Sequence, residues 1–417
     1  MKEGSMEILL IEDSGWEALR PLTWLRPAGE LFVGSLSNRE RWVATTGLGV
    51  RIHCRAEVAR LHAHGLMALP EGAALRLWAR DRWAPDEAWI RAAVDRKAAA
   101  AWWSGDRIIA VLTDAAPPAE HLPGSDAFWQ SLAGGAEGLQ VPKGKLIVEL
   151  SDLISEGAER LKRDLDAMLA GSASPDGVGD GIAYALGRIR IGAGCRIDHG
   201  AVLDAREGPI VLGAGTVVFP HTWIRGPFGC RNDCLLLGGR IGGGSFFGPV
   251  CRVRGEVEAS VFHGYTNKAH DGFIGHSYIG EWVNLGALTT TSDLKNNYGF
   301  VHLDVDGRRI ETGQSKVGAF LGDHAKTRIG ALLNSGTVVG IAANLFGEAA
   351  IFPKWVPDFA WGTGPHAAEY ALGPCMEMVR AVLARRGHVC STELTEAMAR
   401  AFEASRPARN RFLSKES

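Results

Sequence analysis

The stretch "IGAGCRIDHGAVLDAREGPIVLGAGTVVFPHTWI", residues 191–224, decides the fold. An aliphatic residue returns every six positions, at Ile191, Ile197 and Leu203 and again at Leu212, Val218 and Ile224. Six suits neither the 3.6-residue turn of a helix nor the two-residue alternation of a strand. It suits hexapeptide repeats that each build one side of a triangular prism, three sides to a coil. The aliphatic residue points inward and stacks on its equivalent in the next coil, while small residues fill the corners. The rhythm slips and resumes at Ile241, Phe247 and Val253, at Ile279 and Leu285, and from "VGAFLG" at 317 through "IGALLN" at 329 to "IAANLF" at 341. Residues 182–363 are therefore read as a single-stranded left-handed parallel β-helix. Glycine agrees: 53 in 417 residues is nearly twice the usual ~7%, in a chain that is not low-complexity.

The flanks have another texture. "MEILLIED" reads as a buried strand, and "KLIVELSDLISEGAERLKRDLDAML" as a strand followed by an amphipathic helix, so residues 1–170 are expected to form an α/β domain. "GSASPDGVGD" opens a linker over 171–181. From 364 to 417 the glycine rhythm stops. "CMEMVRAVLARR" and "TELTEAMARAFEAS" have helical period, the second capped by Ser391 or Thr392, and "ARNRFLSKES" is expected to be disordered.

Composition excludes several function classes. A formal net charge of −2 without a dense Lys/Arg stripe argues against a nucleic-acid partner. No apolar run reaches the roughly 18 residues needed to span a bilayer, and the N-terminus lacks the pattern of a secretory leader, so no membrane is expected and the location expected is cytoplasmic. The seven cysteines show no zinc-finger spacing and are read as reduced thiols, with no metal site assigned.

Against this regular background "NKAHDGFIGHSYIGEWVNLGALTTTSDLKNNYG", residues 267–299, stands out. It straddles two phase breaks, 253–279 and 289–316, where excursions leave the prism. The repeat does not require polar groups there, so they are candidates for chemistry.

An α/β domain joined to a hexapeptide β-helix, together with "EDS", "PLTWLRPAGEL", "RERW", "GYTNKAHDGFIGHSYIGEWVNLGA", "TSDLKNNYG", "GDHAKTRIG", "NSGTVVGIAANLFG" and "WVPDFAWG", resembles the bifunctional UDP-N-acetylglucosamine diphosphorylase/glucosamine-1-phosphate N-acetyltransferase family, in an alternative bacterial branch. The resemblance implies a sugar-phosphate N-acetyltransferase using acetyl-CoA as co-substrate, coupled to a nucleotidyltransferase that forms UDP-N-acetylglucosamine or a related nucleotide sugar. It implies a homotrimer acting on a sugar phosphate and a nucleoside triphosphate, with Mg²⁺ if the nucleotidyltransferase is active. His270 stands at the position of the family's catalytic histidine and would act as general base. Arg252 and Arg254 would hold the sugar phosphate with Lys268 as a point charge, and Asn284, Asn297 and Tyr298 would face the sugar. Lys326 and Arg328 lie where the family threads coenzyme A. Phe273 replaces a family tyrosine.

In the α/β domain the span "EDSGWEALRPLT" corresponds to a glycine-rich triphosphate loop, but Trp16 replaces a loop glycine and Ala18 an arginine. Asp13, Arg20 and Arg26 remain as nucleotide-binding candidates, and Phe32 stands in place of another arginine. The domain is thus either a variant nucleotidyltransferase or one that has lost catalysis. Two rival readings come from other classes. In one, the β-helix is only an oligomerisation or binding module for a sugar-1-phosphate nucleotidyltransferase. In the other, His263, His270 and His276 form the zinc site of a β-helical hydratase, although a six-residue spacing puts His270 and His276 on adjacent sides of the prism.

Overall fold

A computed structural model describes residues 6–71, 74–141, 144–170, 178–348 and 350–416. Most of the expected 171–181 linker lies outside them. The chain divides into two compact units, Met1–Leu31 with Leu36–Leu150, and Phe32–Ser35 with Ser151–Ser417. Among the described residues no helix is long and apolar enough to cross a membrane.

The first unit is built on a seven-stranded sheet in the order Gly65–Leu66, Val50–His53, Glu7–Ile11, Arg76–Arg80, Arg107–Thr113, Ala100–Ser104, Glu137–Gln140. The strand read from "MEILLIED" is central and pairs in parallel with both neighbours. Its alternation serves two cores at once: Ile8 and Leu10 join one apolar cluster, Leu9 and Ile11 the other, on the opposite face. Helix Asn38–Thr46 begins with a capping box between Ser37 and Glu40 and ends at Gly47, whose φ of 67° favours glycine.

The second unit is the expected three-sided parallel β-helix. Inward positions stack in three columns. One runs Ile191, Leu212, Cys230, Phe247, with Phe262 and Ile279 continuing it. A second runs Leu203, Ile224, Ile241, Val257, Ile274. The third runs Ile197, Val218, Leu236, Val253 and then, where another aliphatic residue is due, Lys268. These aliphatic and aromatic side chains form one continuous core. In the late coils the inward residues are Leu321, Leu333, Val339 and Leu345, all buried, while Ile329 is 71% exposed. The sequence phase taken from Ile329 is therefore corrected: "IGALLN" turns its fifth residue inward, because Gly330 at φ 67° makes the corner.

Two further expectations change. Helices Leu150–Ser155 and Gly157–Leu169 fall mostly in the second unit, because Asp164 accepts from the Ser35 amide and Leu165 lies against Gly229 of the prism. The segment "ARNRFLSKES" was expected to be disordered, but its residues 408–416 continue one helix, Thr392–Glu416, through Pro407. Arg409 is fully buried there, bonded to Glu369, Ser405 and the carbonyl of Phe402. Ser391 caps this helix through the Leu394 amide, as expected.

Three rings form an aromatic ladder inside the prism: Phe247 packs edge to face on Phe262 in its own column at 4.9 Å and on Phe228 of the preceding coil at 5.2 Å, centroid to centroid. Phe247→Ala leaves a cavity at the centre of that ladder, and we expect a loss of roughly 3–5 kcal/mol, read from the denaturant midpoint of the full chain.

Candidate active site

The outward column beside Lys268 collects the polar residues singled out in the sequence. Arg252, Asn267, Asn284, Lys326 and Asn344 follow one another in register, one per coil. Asn267 donates from Nδ2 to Asn284 Oδ1 at 2.8 Å, and the Asn284 Nδ2 group makes no hydrogen bond to another described residue. Arg252 is half-buried, and after burial its charge is the main reason that the Arg386 guanidinium, at the end of helix Leu372–Ala384, sits below its ordinary pKa. Cations are thus concentrated here. Arg254 is tied down by Asp271 at 3.1 Å and by the Leu237 carbonyl at 2.9 Å. His270 is exposed at the corner that follows this column, and its imidazole makes no hydrogen bond or ion pair to another described residue.

Three expected contacts are placed differently. Lys268 is 2% exposed, points inward, and donates to the carbonyls of Arg254 and His270 at 2.7 Å each, so it offers no surface charge to a phosphate. Lys326 is pushed down to about 8 by burial; its Nζ donates to the His324 carbonyl, and Cys375 of helix Leu372–Ala384 lies beside it. Arg328 lies over the Phe352 ring at 5.5 Å. Asn297 and Tyr298 leave the prism after strand Thr290–Thr291, on another side from Asn284. Tyr298 is 76% exposed there, and Asn297 Oδ1 accepts from the Gly299 amide.

The histidines do not converge. His263 Nδ1 faces Glu281 at 3.2 Å and its ring stacks on Phe32, while His276 Nδ1 faces Asp293 at 2.7 Å. Burial pushes the Asp293 carboxyl up, but the bond to His276, the His276 charge and the Lys316 charge together outweigh it and hold the group below its ordinary value. Asp293 and Asn267 were both missed in the sequence. Asn267 was findable, since it occupies the hexapeptide position of Asn284 one coil earlier.

In the first unit, Asp13 accepts from Arg80 at 2.5 Å, from Arg82 at 2.8 Å and from the Gly15 amide at 3.0 Å. The Arg82 guanidinium fills the space beside Gly15, where an added Cβ would come within 2.1 Å of its Cζ. Trp16 is covered by Arg55 at 3.8 Å and flanked by Arg20 at 5.5 Å, and Arg20 also pairs with Glu17. Arg26 is 3% exposed and donates to the Leu22 carbonyl.

With both sites described, comparison with known proteins is informative. Residues 8–173 match the sugar nucleotidyl transferase family. Parts of the chain are similar to bifunctional nucleotidylyltransferase/acetyltransferases. It is 34% identical over 96 residues, 23% of its length, to the bifunctional sugar-1-phosphate nucleotidylyltransferase/acetyltransferase of Sulfurisphaera tokodaii. It is 30% identical over 185 residues, 40% of its length, to the bifunctional protein GlmU of Sorangium cellulosum. These matches span 24% and 33% of the two relatives. A UDP-N-acetylglucosamine acyltransferase of Arabidopsis overlaps 56% of the chain and 93% of its own at 12% identity and a TM-score of 0.21, too low for a common fold to be read.

In the sugar nucleotidyl transferase domain the loop after the first strand is thus already filled by the protein's own groups. Burial pushes the Asp13 carboxyl up, but Arg82 and Arg80 outweigh it and hold it below its ordinary value. The resulting stability is present at neutral pH and is lost as pH falls below about 3.9 through the folded-state value. Asp13→Asn should cost roughly 3–5 kcal/mol at pH 7, because two buried guanidinium groups lose their shared carboxylate. It should also flatten the acid limb of stability, as checked by denaturant midpoints between about pH 3 and pH 6.

Proposed function

We propose that the protein N-acetylates an amino-sugar phosphate with acetyl-CoA on its β-helix, and that its N-terminal domain is a nucleotidyltransferase with a degraded catalytic loop. The observation that carries this reading is the column of Arg252, Asn267 and Asn284, with the exposed imidazole of His270 at the corner that follows Asn267 in the same coil. Arg252, with Arg386 close by, supplies charge for a phosphate. Asn284 offers amide N–H groups to a sugar hydroxyl or a thioester carbonyl oxygen. His270 takes the proton as the acceptor amine attacks the thioester carbon; the new N–C bond forms, the C–S bond breaks, and coenzyme A leaves as the thiol. Asn297 and Tyr298, carried on another side of the prism, fit an acceptor site completed by a second copy, which supports a homotrimer with sites between neighbours. In this reading residues 1–170, whose last two helices fall mostly in the second compact unit, and 182–363 carry the two functions, and the location is cytoplasmic.

The α/β domain is read as weakened because its triphosphate loop carries Trp16, and its one loop carboxylate candidate, Asp13, is already saturated by Arg80 and Arg82. Losing oriented donors at the phosphates removes transition-state stabilisation of roughly 2.7–4 kcal/mol per donor. With UTP, Mg²⁺ and N-acetylglucosamine-1-phosphate we expect turnover well below about 1 per second, measured by pyrophosphate release; a rate in the ordinary range of about 1–10³ per second would overturn the degraded-loop reading.

His270→Ala should lower acetyl transfer by about 10²- to 10⁴-fold with little change in acceptor KM. The assay is mass detection of N-acetylated product from glucosamine-1-phosphate, alongside the thermal midpoint. A variant that keeps both its midpoint and its full rate on a confirmed substrate removes His270 as the base.

A further inference from the structure

Lys268 is the residue that the repeat does not account for. Its column is otherwise Ile197, Val218, Leu236, Val253, Leu285 and Leu345, interrupted only by Thr327. The reason lies in the lengths of two successive coils. Strand Arg252–Glu258 runs straight through the corner, whereas the next coil is broken into Asn267–Lys268 and Phe273–Gly275. The pairings Val253 with Lys268 and Glu256 with Phe273 leave Arg254 and Gly255 facing Ala269, His270, Asp271 and Gly272. Four residues must arch over two, and the arch is the segment that carries His270.

An arch of this kind leaves backbone carbonyls without ladder partners, a costly state once buried. Two are met by the same group: Nζ of Lys268 donates to the carbonyl of His270 in the arch and to that of Arg254 beneath it. Gly255 makes room for this. It has φ +89°, and an added Cβ would lie 2.8 Å from the Gly272 carbonyl oxygen and 3.0 Å from Lys268 Nζ. The rest of the arch is held by the Leu288 amide on the Asp271 carbonyl, the Glu256 amide on the Gly272 carbonyl, and Arg254 on the Asp271 carboxylate. Among the described residues, the hydrogen bond that holds His270 is the one to its carbonyl.

We propose that Lys268 is a positioning residue: a buried ammonium brace that joins two coils and fixes the arch presenting the His270 imidazole. The inference rests on His270 being the acyl-transfer base, and it replaces a phosphate contact as the role of this lysine. Asp271 and Arg254 are the charged groups that face it, the first favouring its charge and the second opposing it. Burial, the largest influence, pushes its pKa down to about 8. The brace is therefore charged at neutral pH and loses its proton as pH passes through about 8.

The test joins kinetics with amide hydrogen exchange on the full-length protein. In Lys268→Met, kcat with glucosamine-1-phosphate and acetyl-CoA should fall by about 10²-fold, the scale of a misplaced catalytic group, while acceptor KM changes by less than about twofold. A raised KM at unchanged kcat would instead assign Lys268 to the phosphate, and unchanged kcat and KM would leave it no role; either result overturns the proposal. In the wild type, protection of amides 269–272, corrected for intrinsic rates, should drop above about pH 8 relative to amides 279–285. This arm needs no variant to fold, and a flat difference between about pH 7 and pH 9 overturns the brace. Full activity in His270→Ala would fault the base assignment alone, because the exchange measurement still decides whether Lys268 holds the arch.

Discussion

Backbone hydrogen bonds between consecutive coils are the constraint on which the second unit depends. Each inward side chain is laddered to its equivalent in the next coil, so one residue per side is committed to the core and its neighbours in sequence are committed to the outside. The ladder fixes which residues can become a site. Arg252, Asn267, Asn284 and Lys326 form a column because their neighbours Val253, Lys268, Leu285 and Thr327 are turned inward.

Corners exact a local cost. Tyr265, Trp282 and His324 occupy one corner in successive coils at φ 53°, 59° and 60°, a left-handed region that side chains usually avoid. Stacking offsets part of that strain. The Tyr265 and Trp282 rings lie nearly parallel at 4.3 Å, and His388, beyond the end of helix Leu372–Ala384, meets both edge-on. This places the helix end and Arg386 near Arg252, so the packing that relieves a strained corner also concentrates positive charge at the candidate acceptor site.

The repeat was legible because a six-residue period has few structural explanations, and the capping serine at 391 because its chemistry is local. Lys268 was misread because motif resemblance says which residues recur, not which way they face; the phase slip after Val253 hid the column that would have turned it inward. The disorder expected after 408 failed for a similar reason. Composition looked polar, but Arg409 is fully buried and clamps the last helix to Glu369, a tertiary contact with no local sequence signal. Asn297 and Tyr298 were assigned beside Asn284 by motif resemblance, whereas within one chain they follow strand Thr290–Thr291, on a different side of the prism.

The two units treat charge in opposite ways, and this bears on what each can bind. In the first, Arg80 and Arg82 are balanced by Asp13, which pairs with both, and by Asp126, which pairs with Arg80, beside Trp16 and Arg55, so an incoming triphosphate would have to displace bonds that now stabilise the fold. On the β-helix, Arg252 and Arg386 stand together with like charge beside an amide ladder. A cluster of one sign favours an anion that neutralises it, whereas a closed set of ion pairs gains little from one. That asymmetry, rather than the lost glycine alone, is the physical reason to look for the chain's chemistry on the prism.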